Sequence, residues 1–122
     1  MERTLESRFA EVGARLDTLV KQAEDEGRER LADRARQLRY DVAAFRARVD
    51  DFDVQAHLAG MDLRDRVQPF LDDVSLRSVN ARHVLAELRE QATSASLAIQ
   101  EGVHAATVDL DAAIEAAVDS FR

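Results

Sequence analysis

Two long runs of apolar residues at helical spacing, parted by one interruption, leave this chain few architectures. From Leu5 the apolar positions fall at Phe9, Val12, Leu16, Leu19 and Ala23, alternately four and three residues apart. The alternation resumes at Leu38, Val42, Phe45, Val49 and Phe52. Beyond the stretch from Asp50 to Asp62 it returns at Val67, Leu71, Val74, Ser78, Ala81, Leu85, Leu88 and Ala92, and a stripe continues to Phe121. Only a helix sets residues three and four apart on one face, and a stripe held in that register faces another helix as in a coiled coil. The expected fold is all-α: an elongated antiparallel helical hairpin or coiled coil that dimerises into a four-helix bundle. Its single domain, 1–122, has arm one over about 4–51, a connection over about 52–66 and arm two over about 67–121.

Each run contains a place where steps of four follow one another, at Ala23, Gly27, Leu31 and Ala35 and again at Ala95, Ile99 and Val103. Consecutive fours unwind a supercoil locally and read as stutters in continuous helices. A turn at Gly27 is the other reading, since Gly costs a helix about 1 kcal/mol against Ala. Glu24 with Arg28 and Glu26 with Arg30 form i,i+4 pairs that favour continuity. The poorest helix formers lie at Ser75 to Asn80, where a bend is expected. In the connection, Asp53 is placed to cap a short helical turn that stops at Gly60. Asp62 or Asp65 then starts the second arm, Asp65 with Gln68 as a capping box, and Pro69 falls in or near the first turn.

Laying the arms side by side sets Gly13 against the Ala-rich final third with its Gly102, where small residues let backbones approach. Ala32, Tyr40, Ala43, Ala44 and Ala47 lie off the main stripe of the first arm. Ala residues from 92 to 117 occupy more than one face of the last third. Two isolated helices would leave such surface wet, so a homodimer is expected; Ala serving only as a good helix former on a solvated face is the plainer account.

The 122 residues, 34% charged and 46% hydrophobic with one Pro, suit one helix-rich domain. No cysteine is present, which excludes disulfides, thiol catalysis and cysteine metal sites. The net charge of -7 opposes non-specific attraction to nucleic acid, which is an unlikely partner on that ground. The start of the chain lacks the apolar core of a signal peptide and no window approaches a membrane span, so a cytoplasmic protein is expected.

Candidate chemistry is sparse. Glu101-x-x-His104 has the spacing of di-iron carboxylate bundles, but occurs once, and His57 and His83 follow Val54 and Asn80 at the same spacing. His83 with Glu87 reads as a helix-surface pair. No serine sits in a nucleophile elbow and no Gly-rich loop could cradle phosphate. Asp50-Asp51, Asp72-Asp73 and Asp109-x-Asp111 read as solvated faces. No catalytic, cofactor-binding or metal-ligating residue is assigned, no cofactor is expected, and the chain is read as no enzyme.

Arg28, Arg30, Arg34, Arg36, Arg39, Arg46 and Arg48 flank the stripe of the first arm on both sides. They fit three roles: stems covering the edges of a helical core with heads paired to acids on a neighbouring helix, an interfacial helix meeting lipid, or nucleic-acid binding, which the interleaved acids and missing stacking aromatics disfavour.

The stretch Val67-Gln68-Pro69-Phe70-Leu71-Asp72-Asp73 resembles a Val-Gln-Pro-Tyr-Leu-Asp-Asp stretch of exchangeable apolipoproteins, and the Arg-flanked helix is similar in style. The resemblance implies an elongated bundle that opens to lay its apolar faces on lipid. The chain departs from that family in its single Pro and single Lys. The expected function is a non-enzymatic helical scaffold or protein–protein interaction module acting through self-association and presenting an acidic, Arg-striped surface to a protein partner. Reversible binding of amphipathic helices to a lipid or hydrophobic granule surface is the alternative.

Overall fold

The computed structural model describes residues 4–59 and 63–120. It is all-α, with four helices: α1 (Leu5–Asp25), α2 (Glu29–Ala59), α3 (Leu63–Ala92) and α4 (Leu97–Ser120). Successive helices pack on one another and α4 closes on α1, which makes an up-and-down bundle around one core. The four helices therefore come from one chain, which corrects the expectation that two copies are needed to supply them. No described helix is long and apolar enough to cross a membrane.

The expected hairpin survives in the pairing of α1 with α4 and α2 with α3, but it is folded in half. The first fold is at Gly27, which takes φ +71°. Arg28 N–H donates to the carbonyl of Ala23 at 2.8 Å and Gly27 N–H to that of Glu24 at 3.0 Å, the paired bonds of a Schellman stop. Continuity through Gly27 is thus overturned, and the i,i+4 pairs of Glu24 with Arg28 and Glu26 with Arg30 do not form: Glu24 turns to Arg36 on α2 instead. The physical reason lies in the spacing. Each step of four overshoots a turn, so three in succession swing the stripe by about 120°; a straight helix would have carried the apolar face out of the core. The turn resets the phase.

The second fold, Thr93 to Ser96, coincides with the other run of fours. Ser96 stands just before α4 and accepts the N–H of Ile99 on its hydroxyl at 3.3 Å, as an N-cap does. Helix α3 instead runs unbroken through Ser75 to Asn80, where weak propensity is overridden by burial of Val74, Ser78 and Ala81 and by the Arg77–Asp73 pair at 3.1 Å.

The two turns lie together at one end of the bundle. Ser96 O–H donates to one carboxylate oxygen of Glu26 at 2.5 Å and Ser96 N–H to the other at 3.3 Å. Arg28 Nη1 donates to Ser94 Oγ at 3.2 Å, and Nη2 reaches the Ser94 carbonyl. Glu26 thereby ends α1 and sets a negative charge at the positive N-terminus of α4.

At the other end α2 and α3 reach further than expected. Helix α2 continues to Ala59, so Asp53 lies within it rather than capping a separate turn, and α3 begins at Leu63, ahead of the proposed Asp65 cap. Gly60 and Asp62 lie outside the described residues. Pro69 sits in the second turn of α3, where its missing N–H leaves the Asp65 carbonyl without the usual helical donor. Next to it, Phe70 stacks on Phe52 with centroids 4.1 Å apart, and the Arg48 guanidinium lies 5.6 Å from the Phe70 ring centre. This cluster closes the core where α2 and α3 outrun α1.

Gly27 has open space around it, so Gly27→Ala isolates the cost of the left-handed backbone, about 1 kcal/mol in urea unfolding. Ser96→Ala, which loses both the cap and the link to Glu26, is expected to cost about 1–2 kcal/mol. Additive losses in the double variant would show that the two turns are energetically independent and that the tie between them is decorative.

Candidate functional site

The Arg cluster is the feature the sequence marks most strongly, and the bundle places five of its seven members along α2 in ion pairs toward α1 or α3. Toward α1, Arg39 Nε meets Asp17 at 3.1 Å, Arg46 meets Glu6 at 2.8 Å, and Arg36 joins Glu24 and, at 2.7 Å, Asp33 of its own helix. Toward α3, Arg34 meets Glu87 at 2.9 Å and Arg48 meets Asp73 at 3.2 Å. Arg28 serves the turns, and Arg30 is exposed without an ion pair among the described residues. The reading of stems along the core with heads on neighbouring helices is therefore the one realised. Arg39 shows why it works: its guanidinium crosses α1 where Gly13 has no side chain, 3.1 Å from where a Cβ would sit. Gly13 thus makes room for α2 rather than for α4, while Gly102 faces Leu19 of α1 as expected.

The other candidates stay apart. Glu101 and His104 are exposed on α4, and among the described residues no three metal-ligating side chains converge. His83 Nε2 pairs with Glu87 at 3.0 Å on the surface of α3, as its spacing indicated. The stretch from Val67 to Asp73 forms the second turn of α3 and the start of the third, and puts Phe70 in the core.

Two surface features were not singled out by sequence, and a third was. A cavity of about 80 Å³ lies between α2, α3 and α4, floored by Val42, Phe45, Ala81, Leu110 and Ile114 and lipped by Asp41, Arg77 and Asn80. Ala81 is the small residue that leaves it open. It is well below the few hundred Å³ of ordinary ligand pockets, and has room for a few waters. Burial raises the Asp41 carboxyl above its ordinary value, an effect that the nearby Arg77 charge offsets only in part. The second feature is a longer groove between α3 and α4, lined by Leu71, Val79, Ile114 and Val118 with several acids on its rim.

The third is the outward face of α2. Tyr40 is 76% exposed and Val54 57%, and with Ala47 they recur every seven residues on the side facing away from the core, beside exposed Ala43. The flank of α1 adds Ala10 and Val20 to the same surface. Spacing did carry this signal, through the Ala and Tyr positions lying off the main stripe.

Comparison with protein-family models, with curated proteins and with solved structures finds no match to this chain.

Asp41 has a testable pH signature. A carboxyl whose folded pKa is raised adds stability when protonated, fully present below the unfolded value and lost as pH rises through the folded one. Asp41→Asn should therefore unfold at higher urea than the parent at neutral pH, and the two midpoints should merge at about pH 3, below the ordinary carboxylate range.

Proposed function

We propose that the chain is a non-enzymatic helical interaction module that self-associates through the outward face of α2 and the adjoining flank of α1. The observation that carries this reading is the stripe of Tyr40, Ala43, Ala47 and Val54, which stays uncovered although the chain has already completed its own four-helix core. Solvated helix faces are ordinarily polar, and a small-residue stripe with one aromatic anchor suits close packing against another helix. Arg36 and Asp50 share this face and Arg39 and Arg46 edge it, each Arg already held by an acid of α1 or α2, so a partner helix would bury few unpaired charges.

The simplest partner is a second copy, with α2 packed antiparallel on its equivalent about a two-fold axis, because one self-complementary patch then serves both subunits. In this reading the bundle is a scaffold: it dimerises on one side and leaves acidic surface on the other for a further protein. The alternative, a reversible coat on lipid or a hydrophobic granule, draws on the amphipathic helices and on the apolipoprotein-like stretch at Val67 to Asp73. It requires the bundle to part against ion pairs on every edge and against the cross-tied turns.

Light scattering coupled to size exclusion separates these outcomes. The parent protein should run as a dimer at about 100 µM, and Ala43→Glu with Ala47→Glu, both at exposed positions, should give a monomer of unchanged helicity. A parent that is monomeric at that concentration overturns the self-association reading. Co-migration with phosphatidylcholine vesicles would put the coat in its place.

A further inference from the structure

We infer that the groove between α3 and α4 is a docking site for a basic amphipathic helix of another protein. This surface lies apart from the α2 face and does not depend on it. Its floor is apolar: Ile114 is buried, Leu71 and Val118 are half-buried, and Val79 is 60% exposed. On the α3 side the lining also includes the small residues Ser75, which is exposed, and Ser78, which is buried.

Charge chooses the occupant. Asp72, Asp111, Glu115 and Asp119 line the groove against a single base, Arg82, and that base is paired with Asp111 at 3.3 Å. Glu115 and Asp119 are exposed and have no ion pair among the described residues. The two edges that α2 borders are different: it supplies Arg side chains to the acids of α1 and α3. A trough with aliphatic residues in its floor and unneutralised carboxylates among its polar walls matches a helix that carries aliphatic residues on one face and Lys or Arg beside them. From Gln68 to Arg82 the trough runs about 20 Å, room for a helix of roughly four turns.

A second copy of this chain fits poorly. Its outward stripe, on α2, carries Arg side chains already committed to acids, and α4 has no Arg or Lys among its residues. The occupant is a heterologous basic helix.

The test uses the full chain and a fluorescein-labelled synthetic Leu/Lys amphipathic peptide of about 18 residues, with a sequence-shuffled, non-amphipathic control of equal charge. Fluorescence anisotropy should give a Kd of about 1–100 µM that weakens with salt, and the shuffled peptide should bind at least about tenfold more weakly. Amide shift changes should concentrate at residues 68–82 and 111–119. Glu115→Lys with Asp119→Lys should weaken binding by about tenfold or more, Val79→Ser should weaken it without altering charge, and Asp25→Lys with Glu90→Lys at the far end should leave it within about twofold. Equal weakening by the far-end reversals, shifts spread over all faces, or no binding would each overturn the proposal. Shifts at the same residues on simple dilution of the unliganded protein would assign the groove to a second copy and overturn it as well.

Discussion

The bundle depends on two chain reversals held against each other. Gly27 turns α1 into α2, Thr93 to Ser96 turn α3 into α4, and Glu26 and Arg28 reach across to Ser96 and Ser94. Each contact is a surface hydrogen bond of modest worth. Their importance is topological: without both reversals at the same level, the apolar stripes would pair as two extended arms. With them, Leu16 and Leu19 of α1, Leu38 of α2, Leu88 of α3 and Ile99 of α4 are all almost completely buried in one core. Burial of such side chains, at about 1.5–3 kcal/mol each, supplies the stability. The ion pairs are mostly exposed, each worth about 0–1 kcal/mol, and their effect is to fix which edges meet and in what register.

Much of this was legible in the sequence. The alternation of four and three predicted helices and named most of the core residues from Phe9 and Val12 to Leu88 and Ala92, although it passed over Phe70 and Val84, and Ala32, read as lying off the stripe, is buried. The pairing of first third with last third also follows from it. What misled was the meaning of the runs of fours. A stutter and a chain reversal leave the same trace in a linear pattern, since both rotate the stripe, and only tertiary contact separates them. At Gly27 the local ion pairs argued for helix, yet Glu24 gains an interhelix partner in Arg36 and Glu26 gains Ser96 once the chain turns. Propensity erred in the opposite sense at Ser75 to Asn80, where packing holds a helix that local preference would bend.

The surface features were less legible for a physical reason. A groove is a property of two helices at once, and Ser75 and Ser78 look like poor helix formers until they are seen opposite Ile114 and Val118. The Asp41 cavity likewise needs Ala81 from α3 and Leu110 from α4 to be set beside it. By contrast, the stripe of Tyr40, Ala43 and Ala47 belongs to one helix, and single-helix periodicity was enough to expose it.

The distribution of charge links the two open surfaces. Helix α2 holds most of the arginines that meet acids on neighbouring helices, and it spends them on both of its edges, so its back is the one face left without a need for charge. Helix α4 has no Arg or Lys in it and borrows Arg15 from α1 and Arg82 from α3 for Asp109 and Asp111. Nothing among the described residues reaches Glu115 and Asp119 further along the same helix. The net charge of -7 is therefore not spread evenly. It is largely cancelled around α2, where the exposed stripe is apolar, and left standing along α4, where the groove is. A patch without net charge suits association with its own kind, because like patches do not repel; an acidic trough cannot meet its copy face to face without cost, and so favours a partner of opposite sign.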